Sequence, residues 1–216
     1  MIRILGNQNS LFSQFLSEIR DKEIQKDKQR FRRNLERIGE IFAYEISKEI
    51  NYSEVEVQTP LGTAKQAIVD DKIVLGTILR AGLPMHNGML NYFDNADNAF
   101  ISAYRKYNPD GTFDIDVGYI TSASIEGKTV ILIDPMLATA QSMIIAYKEL
   151  MKNGKPKHTH IVSLIASRDG LNEIQRKLPT ENISFWFGAI DDELTVKSYI
   201  VPGLGDAGDL AYGKKE

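Results

Sequence analysis

The sequence predicts an α/β protein, a mostly parallel sheet flanked by helices with one antiparallel arm. Three observations carry this. Five runs rich in Val and Ile recur: KIVLGTIL from Lys72, AFISAY from Ala99, TVILI from Thr129, HIVSLIA from His160 and ISFWFGAI from Ile183. They are continuously apolar where a half-exposed strand would alternate, which suits strands covered on both faces. Helical or loop material separates them, and strand–helix–strand alternation implies right-handed crossovers into a parallel sheet.

The elements follow in order. From Asp27 to Ile50, apolar residues fall at Phe31, Leu35, Ile38, Phe42, Ile46 and Ile50, spacings that make one face of a helix. Lys28, Arg30, Arg32, Arg33, Glu36 and Arg37 fill the remaining positions and read as a solvated face. VEVQTPLGTAKQAI then reads as short strands around a Pro-Leu-Gly turn. Ser142–Asn153 and Asp169–Leu178 read as helices between strands, the first closed by Asn153-Gly154 and the second followed by Pro179. Tyr104 to Ile120 alternates around Asn-Pro-Asp-Gly and reads as a hairpin arm. No linker, repeat or low-complexity tract divides the chain. One domain over 1–216 is expected, with an N-terminal extension at about 1–30 and the arm at about 104–120.

Composition excludes several classes. A formal charge of −3 gives no general attraction to nucleic acid or acidic lipid. With no cysteine, disulfides, thiolate chemistry and Cys-based zinc sites are ruled out. The start, MIRILGNQNSLFSQFL, lacks the pattern of a signal peptide, and no apolar run approaches the roughly 20 residues of a membrane span. A cytoplasmic protein is expected, without nucleic-acid or membrane partners.

The most informative stretch is Ile131 to Met143, ILIDPMLATAQSM, a buried strand that turns into a helix through an acid, a proline and small or hydroxyl residues. Ligands of open α/β sheets bind beyond the carboxyl ends of strands, where the next helix presents N–H groups. Thr139 and Ser142 add hydroxyl donors, and Ala138 and Ala140 let the backbone come close to a ligand. Asp134 at the strand tip repels phosphate but accepts hydrogen bonds from sugar hydroxyls, so a phosphorylated sugar meets both demands. A plain strand–turn–helix joint with a capping acid or serine fits the turn equally well. It is neither a Walker loop nor GxGxxG. Of the three histidines, His158 and His160 precede a strand and read as a solvent-exposed loop sooner than as metal ligands. Phe185, Trp186 and Phe187 read as core.

IDPMLAT resembles the phosphoribosyl diphosphate (PRPP) loop of the uracil phosphoribosyltransferases. ILRAGLPM (Ile78 to Met85) resembles that family's diphosphate loop, Tyr104-Arg105 its arginine after the second strand, and YIVPGLGDAGD (Tyr199 to Asp209) its uracil-binding terminus. RFRRNLERIGEIFAYE resembles its N-terminal helix, so the likeness runs from about residue 30 to 213. The resemblance implies a Rossmann-like type I phosphoribosyltransferase fold with a hairpin arm and a small hood. It also implies the reaction uracil plus PRPP giving UMP and diphosphate with Mg²⁺, and a homodimer or higher homo-oligomer.

Carried over by position, Arg80, Arg105 and Asp134 become the catalytic residues. The PRPP ligands become Arg80, Arg105, Asp206 and the loop residues Asp134, Pro135, Met136, Leu137, Ala138, Thr139, Ala140, Gln141 and Ser142. Ile200, Gly205, Asp206 and Ala207 become the uracil site. Ile133-Asp134 supplies a single acid where many PRPP enzymes carry two, so no protein cage for Mg²⁺ is expected and the ion arrives mainly on PRPP. Fold alone would explain PGLGDAGD as a set of tight turns.

The chain departs from the family at Ala140-Gln141, where members usually show two glycines, and at Leu210-Ala211. Alanine at 140 costs on the order of 1 kcal/mol if that position needs φ > 0, and is harmless or stiffening if it does not. The altered loop keeps a second reading in play: a regulator of the same fold that binds PRPP or a nucleotide with weak or no turnover. A purine transferase is disfavoured by the uracil-type terminus.

Overall fold

The computed structural model describes residues 1–107, 113–179 and 181–214, and of 104–107 and 113–117 the backbone only. The elements in chain order are β1 (Ile2–Ile4), α1 (Leu11–Arg20), α2 (Lys28–Ser47), β2 (Tyr52–Thr59), β3 (Gly62–Val69), β4 (Ile73–Leu79), α3 (Leu83–Leu90), β5 (Asp97–Tyr107) and β6 (Phe113–Ser122). There follow β7 (Thr129–Ile133), β8 (Met136–Leu137), α4 (Gln141–Leu150), β9 (His158–Ser167), α5 (Arg168–Lys177), β10 (Ile183–Asp191), β11 (Glu193–Leu194), β12 (Ile200–Val201) and α6 (Ala207–Tyr212). The main sheet runs β1-β10-β9-β7-β4-β5-β6, with β8 also on β9. Every pairing in it is parallel except β5 with β6, which forms the antiparallel arm; its tip, 108–112, lies outside the described residues.

The α/β expectation is met, and the burial shows why the strand runs are continuous. Alternate residues enter two cores on opposite faces of the sheet. Leu75, Ile131, Ile133, Val162 and Trp186 pack under α1, α2 and α3. Val74, Val130, Leu132, Ile161, Phe185 and Phe187 pack under α4 and α5. A strand buried on both sides has no polar face to show.

The predicted helix is α2, capped by Asp27, whose carboxylate accepts from the N–H groups of Gln29 and Arg30 at 2.9 and 3.0 Å. Its apolar residues face the core as predicted, but its basic face is less free than a solvated reading implies. Arg30 forks onto Glu18 at 2.8 and 2.9 Å, and Arg32 donates to the Ala211 carbonyl at 2.6 Å. The Arg30 and Asn34 contacts hold the Glu18 carboxyl down at about 2.

Residues 1–30 add β1 beside β10 and lay α1 on α2, with Phe12 and Ile19 buried. The histidine reading needs correction. β9 begins at His158, so neither histidine lies in an exposed loop: His160 is buried, its Nδ1 accepting from Trp186 Nε1 at 3.0 Å. Burial and the neighbouring His158 push His160 down to about 3, which keeps it neutral.

Candidate functional site

The sheet order reverses between β4 and β7. From β4 the chain moves to β5 on one side, whereas β7 sits on the other side and leads on to β9 and β10. Accordingly α3, which follows β4, packs on one face, and α4, which follows β7, packs on the other. The carboxyl ends of β4 and β7 therefore flank a crevice, the usual ligand position in open α/β sheets. A cleft of about 350 Å³ opens there.

Three segments far apart in sequence meet in it. Arg80 follows β4, Met136 to Ser142 follow β7 with Asp134, and Ile200, Gly205, Asp206 and Ala207 come from the C-terminal segment. The antiparallel pair β11–β12 forms a small hood that brings Ile200 to the cleft. Pro135 is the exception among the predicted loop residues: it is buried behind the cleft, and its carbonyl accepts from Ile165 N–H at 3.0 Å. Arg105 lies in β5 opposite Ile115, and its side chain falls outside the described residues.

The loop after β7 is stitched along one side to β9. Asp134 N–H donates to the Val162 carbonyl at 3.1 Å, and β8 pairs with Ile165 and Ala166. The Ala138 carbonyl accepts from the Ser167 hydroxyl at 2.5 Å, and Ser167 Oγ in turn accepts from Gly170 N–H at 2.8 Å. Ala140 has φ 62° and ψ −2° at the N-cap of α4, with its methyl group in the core. The backbone at position 140 is therefore left-handed, a conformation that disfavours alanine.

Asp134 is half-buried, and one carboxylate oxygen accepts from Met136 N–H at 3.2 Å. Burial, reinforced by the Asp206 carboxylate, pushes its pKa up to about 7. Asp206 caps α6 by accepting from Asp209 N–H at 2.9 Å. Arg80 is tied to that same helix: its Nη2 donates to Asp209 at 3.0 Å and to the Gly213 carbonyl at 3.2 Å.

Sequence reasoning did not single out Asp209, Ser167 or Ser198. Asp209 lies one helical turn after Asp206, and Ser167 ends an apolar run just before a helix. Both spacings are capping or pairing signals. Ser198, which also lines the cleft, gives no such signal.

A parallel sheet with an acid and a hydroxyl-bearing strand-to-helix loop at its switch point, and an arginine at the adjoining strand end, defines a type I phosphoribosyltransferase. The orotate phosphoribosyltransferase of Mycobacterium tuberculosis, solved with PRPP, shares the fold with a TM-score of 0.50 at 11% identity, over 87% of this chain and 95% of that one. The family model for uracil phosphoribosyltransferase matches residues 6–214. A protein of Porphyromonas gingivalis named uracil phosphoribosyltransferase is 54% identical over 98% of this chain and 97% of its own length. One of Pyrococcus furiosus with the same name is 38% identical over 93% and 85%. The solved AQ2163 protein of Aquifex aeolicus superimposes with a TM-score of 0.87 at 31% identity, over 99% and 98%. The chain belongs to the uracil phosphoribosyltransferase family.

Proposed function

We propose that the protein transfers the 5-phosphoribosyl group of PRPP to uracil, releasing diphosphate and forming UMP for pyrimidine salvage. The observation that carries this is the convergence of Arg80, the Asp134–Ser142 loop and the Ile200–Ala207 segment on one cleft. Breaking the anomeric C–O bond builds positive charge on the ribose and negative charge on the departing diphosphate. Catalysis is then chiefly electrostatic stabilisation and positioning.

Asp134 accepts hydrogen bonds from the ribose hydroxyls and, once ionised, faces the cationic sugar. Its raised pKa means that the charge is expensive in the empty cleft and is favoured when a cation arrives. Arg80 exchanges Asp209 for diphosphate oxygens, a bidentate partner better matched to its fork. Arg105 is the second arginine proposed for the diphosphate. For the base, the Ile200 carbonyl accepts from uracil N3–H, while N–H groups of Gly205 to Ala207 donate to a uracil carbonyl. Cytosine would leave those groups unpaired, which discriminates strongly.

The cleft's acids fit a cation. Asp134 and Asp206 are close enough that one carboxylate raises the proton affinity of the other, and Mg²⁺ held mainly by diphosphate oxygens and water would need no more. When bound, the ion offsets the charge of the leaving diphosphate. The regulator reading finds no observation of its own here.

A homodimer or larger homo-oligomer is part of the proposal. The β2–β3 hairpin stands apart from the main sheet and exposes Tyr52, Val57, Leu61, Ile68 and Val69. A lone two-stranded hairpin is marginal in water, so a partner surface is expected over it. A purely monomeric species in sedimentation would defeat this. The cytoplasm is the proposed location, since PRPP is too highly charged to cross membranes.

The decisive assay offers labelled uracil with PRPP and Mg²⁺, beside cytosine, hypoxanthine and adenine. UMP formation from uracil alone is expected. No UMP at any PRPP concentration would overturn the transferase.

A further inference from the structure

The first helix reaches the base-binding segment through one ion pair. Arg20, the last residue of α1, donates from both terminal nitrogens to Asp191 at 2.8 Å each, and from Nη1 to the Gly203 carbonyl at 3.0 Å. Asp191, the last residue of β10, is buried, and its Oδ2 also accepts from Gly203 N–H at 2.9 Å. Both polar backbone groups of Gly203 are therefore gripped by one Arg–Asp pair. Gly203 has φ 55°, and a Cβ there would lie 2.1 Å from the Ile200 carbonyl oxygen. The turn closes on itself so tightly that holding Gly203 also holds the Ile200 carbonyl.

We propose that Arg20 and Asp191 are positioning residues for the nucleobase. They do not line the cleft; they act by fixing the peptide that aims the Ile200 carbonyl. This rests on the reading of Ile200 to Ala207 as the uracil site. An ion pair largely withdrawn from water gains little net stability, because desolvation offsets the attraction. What it supplies here is orientation. Arginine suits this role because its planar fork spans Asp191 and the Gly203 carbonyl at once, whereas a lysine presents a single point of charge. Residues 1–30 thus become part of the substrate-binding apparatus, through a contact spanning 171 positions of sequence.

The experiment compares wild type with Arg20→Met, Arg20→Lys and Asp191→Asn, measuring KM for uracil, KM for PRPP and kcat separately. Losing a charge-assisted hydrogen bond that aims the loop should raise KM for uracil roughly tenfold in Arg20→Met, with KM for PRPP moving less than about twofold. Arg20→Lys should fall between Arg20→Met and wild type, a partial rescue that keeps the charge but loses the fork. The inference is overturned if KM for uracil stays unchanged, or if both KM values rise in step as general loosening would produce. Should Arg20→Met fail to fold, the same split in Arg20→Lys decides. A wild type that forms no UMP removes the transferase reading and this inference together, whereas an active wild type with indifferent variants removes only the inference.

Discussion

Gly170→Ala sets helix propensity directly against tertiary packing. Gly170 lies in the first turn of α5, against the back of the loop that follows β7. A Cβ there would sit 2.3 Å from the Ala138 carbonyl oxygen and 2.7 Å from that of Leu137, where ordinary contact begins at 3.4 Å. The loop or the helix tip must therefore move by about 1 Å. Propensity alone favours alanine over glycine within a helix by about 1 kcal/mol. Overpacking opposes it by roughly 1–3 kcal/mol, so the net effect is a loss of up to about 2 kcal/mol. Function should suffer more than stability, because the displaced carbonyls belong to the loop proposed to bind PRPP. The Gly170–Ser167–Ala138 hydrogen-bond chain is disturbed by the same movement. A misplacement near 1 Å can cost on the order of 10²-fold in reactivity, so kcat/KM for PRPP should fall at least tenfold. Thermal melting with and without PRPP, beside steady-state kinetics, measures both quantities. A variant that melts higher than wild type and keeps its KM for PRPP would refute the claim that α5 braces the loop.

Further outcomes follow from the same loop. Ala140→Gly relieves a left-handed alanine, worth about 1–2 kcal/mol, but removes a buried methyl worth about 0.8 kcal/mol. Its melting curve should thus stay within about 1 kcal/mol of wild type, while Ala140→Gly combined with Gln141→Gly should lower KM for PRPP; an equal or higher KM would count against the altered-loop argument. Asp134 holds its proton to about pH 7 in the folded chain, against an ordinary value of 3.8. The folded state binds more protons between those values, so wild-type stability should decline as pH rises through that window. Asp134→Asn mimics the neutral form, and its melting advantage over the unliganded wild type should widen from pH 4 to 7 and then level off; parallel curves would contradict the shifted pKa.

Much of the fold was legible because burial on both faces leaves a plain mark: the five Val/Ile-rich runs are β4, β5, β7, β9 and β10. The helix read over Asp27 to Ile50 was equally plain, since one buried stripe repeats with the helical period, although α2 ends at Ser47 and Ile50 is buried beyond it. β1 was not, because three residues at a sheet edge carry no period of their own. His158 and His160 were misplaced for a related reason: β9 starts ahead of its apolar run, and a neutral buried histidine looks polar in the sequence. The basic face of α2 is solvated at Arg30 and Arg33, but the partners of Arg30 and Arg32, Glu18 and the Ala211 carbonyl, were not legible because they lie off the helix.

The candidate site divides along the same line. Residue types at the ends of strands and beginnings of helices were readable from the chain alone, because local turn chemistry dictates them: an acid at the strand tip, hydroxyls before the helix, glycines in the C-terminal turns. Left to the tertiary structure were the sign of φ at Ala140, the Arg80–Asp209 contact across 129 positions and the Arg20–Asp191 grip on Gly203 across 171. Hydrophobic periods reach only as far as one element, whereas the two long-range contacts exist only once the folded sheet brings α1 and the end of β4 against the C-terminal segment.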